Sequence, residues 1–156
     1  MVTEDGSREY VEEYVEYLTD AYPDVQEVWL FGSRANDTAR PDSDWDLLVW
    51  SNEDHLLNKL CRNKQSRRAG IDLFVVVDQL AVQPWPADDG QPKQLWLDGR
   101  PGGLNWQHVT SFEARYTETK DLKPGGFQTV SRERIARLLY RGRVKLYPLA
   151  LRRSAR

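Results

Sequence analysis

The chain of 156 residues has one cysteine, Cys61, one methionine and two histidines. A single thiol excludes an intramolecular disulfide, so the fold must be held by burial alone, and a reducing compartment, the cytoplasm, is the expectation. Long apolar runs are missing as well. None approaches the roughly 18 residues of a membrane span, and no membrane partner is expected. The opening MVTEDGSREY is acidic and has no apolar centre, unlike a secretory signal. His55 and His108 stand alone and read as structural or surface residues. Internal repeats and low-complexity tracts are absent.

What is present is an ordinary soluble composition, 40% apolar and 29% charged, long enough to bury a core as one domain over 1–156. The net charge of −2 hides an asymmetry. Met1–Glu27 carries nine acidic residues against Arg8, whereas Ser131–Arg156 carries nine basic residues against Glu133. Either the two ends attract each other across one fold, or the basic end faces an anionic partner.

Tyr10, Val11, Tyr14, Val15 and Leu18 recur at spacings of three and four. They predict an amphipathic helix that starts at Ser7 and stops near Tyr22-Pro23. Strands are predicted at Val25–Phe31, Trp45–Trp50 and Ile71–Val77. A short turn or helix is predicted over Arg34–Ala39, and a helix over Glu53–Asn63, with Cys61 a buried thiol. Five prolines punctuate Asp78–Gly126. Within that stretch, Gln94–Asp98 and Asn105–Thr117 are expected to form a hairpin around GRPGG, with Trp85, Trp96 and Trp106 in a small core of its own or in a wall that recognises a partner. Ser131 is expected to cap a last helix, SRERIARLLYRG, before a short strand at Val144–Tyr147. Strands alternating with helices predict an α/β (α+β) fold, with residues 79–130 as an insertion.

The chemistry concentrates in FGSRANDTARPDSDWDLLVW, where Asp42, Asp44 and Asp46 alternate. A calcium loop is excluded, because Leu47 occupies the position that needs glycine and the second half of the loop is an apolar strand. A solvated turn suits Asp42, beside Pro41 and Ser43. Asp46, between Trp45 and Leu47, is committed to a strand. Period two places Asp44, Asp46, Leu48 and Trp50 on one face, and Trp45, Leu47 and Val49 on the other. Two carboxylates stacked on one face repel unless a cation lies between them. Asp72, opening the apolar strand IDLFVVV, can supply a third oxygen ligand for such a hard cation. Gly32-Ser33, ending a strand and opening a turn, offers N–H groups and a hydroxyl suited to phosphate oxygens.

A hydrophobic strand, Gly-Ser, a spacer, Asp-Trp-Asp-Leu and a later strand bearing Asp together resemble the signature of the DNA polymerase β-type nucleotidyltransferase superfamily, above all its minimal nucleotidyltransferases. Gly32, Ser33, Asp44, Asp46 and Asp72 match it one by one, and IARLLYRGRVKLYP resembles the closing segment of small members. The likeness spans roughly Tyr10–Val77 and Ser131–Pro148. Asn36-Asp37 replaces the usual Arg-Gly, and both residues tolerate a left-handed turn. The resemblance implies a mixed sheet flanked by helices. It implies transfer of an NMP group from an NTP, ATP favoured, to an acceptor hydroxyl, with Mg²⁺ or alternatively Mn²⁺ held by Asp44, Asp46 and Asp72. Asp72 would also activate the acceptor, and Gly32, Ser33 and Arg34 would hold the phosphates. The alternative is a non-catalytic module of the same fold that binds a nucleotide or a helical protein partner, in the manner of an antitoxin. A nucleic-acid partner is not expected, because the basic C-terminal segment carries no recognised binding motif.

Overall fold

A computed structural model of the chain describes residues 4–51, 55–86, 93–100, 103–121, 128–130, 133–142 and 144–145. Helix α1 (Glu4–Ala21) begins one turn before the expected Ser7 and stops ahead of Pro23. Strand β1 (Val25–Phe31) follows, then a single 3₁₀ turn at Ser33–Ala35 and strand β2 (Trp45–Ser51). Helix α2 (His55–Cys61) and strand β3 (Ile71–Val77) come next. A second 3₁₀ turn at Lys64–Ser66 precedes β3, and strands β4 (Leu80–Val82), β5 (Gln94–Trp96), β6 (Leu104–His108), β7 (Glu113–Asp121), β8 (Gln128–Val130), β9 (Arg134–Arg141) and β10 (Val144–Lys145) complete the described elements. The architecture is α/β: one mixed sheet in the order β5-β4-β3-β2-β1-β9-β7-β6, with β10 on β9 and β8 on β7.

The expected last helix is a strand. Within the described residues SRERIARLLYRG becomes β9, which runs antiparallel to β1 and β7 in the middle of the sheet; Ser131, its expected cap, lies outside those residues. The cause is a β-bulge. Val28 faces Tyr140 and Trp29 faces Leu138, so Leu139 is an extra residue on β9. Ala136 and Leu138 therefore pack on one face of the sheet, and Leu139 and Tyr140 on the other. Ile135, Leu138 and Leu139 then sit three and four apart, the spacing of a helix, although the backbone is extended. Of the expected strand Val144–Tyr147, Val144–Lys145 pairs with β9, and the rest lies outside the described residues.

The expected hairpin is also rearranged. Asn105–Thr117 is not one strand. It folds back on itself as β6 and β7, paired from Leu104↔Glu118 to His108↔Ala114. The Gln94–Asp98 segment pairs chiefly with β4 and meets β6 only at the bridge Asp98↔Asn105. That bridge still matters, because β5 and β6 are the two edges of the sheet. Trp106 N–H donates to Leu97 O at 3.2 Å and Gly99 N–H to Leu104 O at 3.0 Å, so the curled sheet meets itself. A Cβ on Gly103 would overlap the Trp96 carbonyl. Only glycine lets the edges come this close.

Curling creates two cores. Helices α1 and α2 cover the outer face through Val11, Val15, Leu18, Leu56 and Leu60, against Val28, Leu47 and Leu73 of the strands. The inner face encloses Trp29, Phe31, Leu48, Phe74, Tyr116 and Leu138. Trp29 is fully buried and meets Trp106 edge-on at 5.8 Å. Among the described residues the middle segment has no separate core: Trp85 joins the helix-side cluster and Trp106 packs on the inner one. Cys61 is exposed, not buried, because α2 turns Leu56 and Leu60 inward and the next residue faces away. The acidic and basic ends do meet, through Arg141 Nε and Glu27 Oε2 at 3.0 Å.

Candidate active site

Where β1 ends, β2 and β3 begin. Phe31 pairs with Asp46 across the antiparallel β1–β2 ladder, and Asp46 pairs with Asp72 across the parallel β2–β3 ladder. The two carboxylates are therefore abreast on neighbouring strands. Alternation puts Asp46 on the face of Leu48, and Asp72 on the face of Phe74, which is the inner face, away from both helices. Asp44, one residue ahead of β2 and exposed, reaches the Asp72 carboxylate within hydrogen-bonding distance. Asp42 lies in the exposed turn, apart from this group.

Gly32 makes the packing possible. It adopts φ +77°, and a Cβ there would overlap Asp46 Oδ2. Its N–H donates to the Tyr116 hydroxyl at 2.8 Å, on the inner face of the sheet. Ser33 opens the 3₁₀ turn, half-buried, and its hydroxyl makes no hydrogen bond among the described residues. Arg34 staples the loop that carries Asp44. It donates to Ser43 O at 3.0 Å and Pro41 O at 3.2 Å, and its guanidinium lies 4.7 Å over the Trp45 ring.

Asn36 and Asp37 fill the turn as the spacer suggests, Asp37 in the left-handed region at φ 56°. Asn36 does more. Its Oδ1 accepts Ile135 N–H at 2.8 Å, and its Nδ2 donates to Ile135 O at 3.0 Å and Gly32 O at 2.8 Å. The side chain imitates a strand residue and ties the Gly-Ser turn to β9.

The electrostatics follow from the crowding. Burial, then the neighbouring Asp72 and Asp44, push the Asp46 carboxyl up to about 7, against opposing pulls from Lys93 and Arg134. Burial and Asp44 also raise Asp72, while Lys93 and a hydrogen bond from Gln83 lower it. Burial raises the Tyr116 hydroxyl too. The excess negative charge, offered by oxygen donors alone, fits a hard divalent cation. Among the described residues no three acidic, histidine or cysteine side chains form a group that could hold a metal ion as they stand.

Gln83, Lys93, Arg67, Arg134 and Tyr116 surround the carboxylates, and the sequence reading singled out none of them. Tyr116 arrives on β7 and Gln83 just past β4, among polar residues that look like any other, and the cations sit among many. Pairing with β3 would have been needed to see that Gln83, one residue past β4, comes level with Phe74, two residues from Asp72 on the same strand.

Among the described residues no helix is long and apolar enough to cross a membrane. No curated protein matches the chain at a significant level. A family model described as a nucleotidyltransferase domain matches residues 11–98, more than half of the chain. That span contains the Gly32-Ser33 turn, Asp44, Asp46 and Asp72, and on this match the chain belongs to the nucleotidyltransferase domain family.

Proposed function

We propose that the protein transfers an NMP group from an NTP, ATP favoured, to an acceptor hydroxyl, with pyrophosphate released. The observation that carries this reading is Asp46 abreast of Asp72, with Asp44 in reach and Gly32 packed against Asp46. Asp44, Asp46 and Asp72 would hold Mg²⁺ or Mn²⁺. When bound, such an ion neutralises triphosphate charge and stabilises the attacking and leaving oxygens.

The residues of the chain divide the remaining work. Ser33 and the turn after Gly32 supply donors for the β- and γ-phosphates. Arg34 holds the Asp44 loop through Nε and one terminal nitrogen, leaving its other terminal nitrogen for a phosphate oxygen. In the transfer, the acceptor oxygen forms a bond to the α-phosphorus and the bond to the bridging oxygen breaks. Pyrophosphate leaves with that electron pair, and Asp72 takes the acceptor proton.

The test is a transfer assay with α-phosphate-labelled NTPs and Mg²⁺ in cell extract, beside Asp44→Asn, Asp46→Asn and Asp72→Asn. Each variant should lose about 10²–10⁴-fold in rate, equivalent to roughly 3–5 kcal/mol of barrier. Binding of Mg·NTP without any label transfer would select the non-catalytic binding module instead.

A further inference from the structure

We propose that the slot beside Asp72 is the acceptor subsite and that it takes a hydroxyl carried next to a phosphate. This rests on the transfer reading above. The slot exists because β4 is short: Pro84 and Pro86 follow it, so among the described residues the first half of β3 has no strand partner on that side. Arg67, Asp72, Gln83, Trp85 and Lys93 line the opening.

Position argues for the acceptor. The strand order β1-β2-β3-β4 puts Gly32-Ser33 on one side of the carboxylates and the slot on the other. In-line displacement needs the acceptor and the leaving pyrophosphate on opposite sides of the α-phosphorus. A triphosphate lying toward Ser33 therefore brings the acceptor in past Asp72.

The lining argues for a phosphate. Arg67 and Lys93 are exposed and make no ion pair among the described residues. Lys93 offsets the Asp46 and Asp72 carboxylates without an ion pair to either; a neutral acceptor would leave both cations unpaired, whereas a phosphate is recognised by both charge and hydrogen bonding. The rest of the slot is fixed in place. Gln83 is 9% exposed and hydrogen-bonds the Asp72 carboxylate, and the buried Trp85 donates its indole N–H to Leu60 O at 2.7 Å. A small sugar phosphate and the end of a nucleic-acid strand share this chemistry.

The experiment follows the Trp85 indole N–H by NMR in the full-length protein with Mg²⁺. The probes are ribose, ribose 5-phosphate and a short oligoribonucleotide. A phosphate-bearing probe should shift the signal saturably, and ribose at equal concentration should not. Arg67→Glu with Lys93→Glu, both surface changes, should weaken that binding at least tenfold with the circular dichroism unchanged. Ribose 5-phosphate binding as well as the oligonucleotide indicates a small acceptor, and a clear preference for the oligonucleotide indicates a strand end. Equal binding of ribose, no shift with either phosphate, or full binding by the double variant would overturn the assignment. So would binding that vanishes in Ser33→Ala, which would put the phosphate on the triphosphate side. Mg·ATP is titrated into the same sample. If it binds while the phosphate probes do not, the acceptor assignment fails alone. If it does not bind, the transfer reading falls, and with it the acceptor role of the slot.

Discussion

At the scale of single residues, the site is built on contacts that leave no slack. Gly32 combines φ +77° with a neighbour, Asp46, that occupies the place of a missing Cβ. Gly32→Ala must both strain the backbone, at about 1–3 kcal/mol, and displace the carboxylate. Isothermal titration with Mg²⁺ should show at least a tenfold loss of affinity, and the urea midpoint should fall; unchanged values for both would mean that Asp46 has room to move. Asp46 also makes stability depend on pH. Its carboxyl titrates near 7 in the folded protein against 3.8 for the free group, so the folded state holds a proton that the unfolded chain has released. In the absence of divalent cation this contribution is complete below about pH 4 and is lost as the pH rises through 7, on the order of 4 kcal/mol in all. Burial, then the neighbouring Asp72 and Asp44, drives the effect, and Lys93 and Arg134 oppose it. Chemical denaturation of the metal-free protein between pH 5 and 8 should show that decline. Asp46→Asn should flatten it, and Mg²⁺ at pH 8 should restore stability to the wild type but not to the variant.

At the scale of elements, the Gly-Ser turn is not self-supporting. Asn36 within its spacer binds both backbone groups of Ile135 on β9. Asn36→Ala would leave those groups and Gly32 O without the side chain, at a cost of about 1–3 kcal/mol if they stay dry. Because the same bonds hold the turn that carries Ser33, Mg·ATP affinity should fall with the denaturation midpoint. A drop in stability alone would show that β9 does not position the turn. The element that sequence reading misjudged belongs to the same story. In β9 a single extra residue, Leu139, switches faces mid-strand, and period two then resembles period three to four.

At the scale of the whole molecule, the family match ends at residue 98, but the fold does not. Strand β1, whose end carries the Gly-Ser turn, lies between β2 and β9, and the inner core that supports Asp46 and Asp72 draws on Tyr116, Ala136 and Leu138. A fragment of residues 1–98 would expose Trp29, Phe31, Leu48 and Phe74 on one open face. Fully burying side chains of this kind contributes about 1.5–3 kcal/mol each, comparable in sum to the net stability of a domain. The fragment should therefore lack a cooperative thermal transition, where the full chain has one. A cooperative fragment that binds Mg·ATP would show that the later strands are an accessory.

The sequence by itself determined the parts whose causes are local. Helix α1 follows from its apolar spacing, strands β1, β2 and β3 from β-branched and aromatic runs, and the faces of Asp46, Leu48 and Trp50 from simple alternation. The Gly-Ser turn and the aspartates stood out because charge so close to apolar strands needs a reason. Tertiary structure alone decided what those parts meet. Which strands pair, where a bulge inserts Leu139, how the sheet edges close at Gly103, and which of many polar residues reach Asp72 all depend on contacts between residues far apart in the chain. Periodicity reports only which face a residue occupies. Pairing and closure set what lies opposite that face, and no local pattern encodes them.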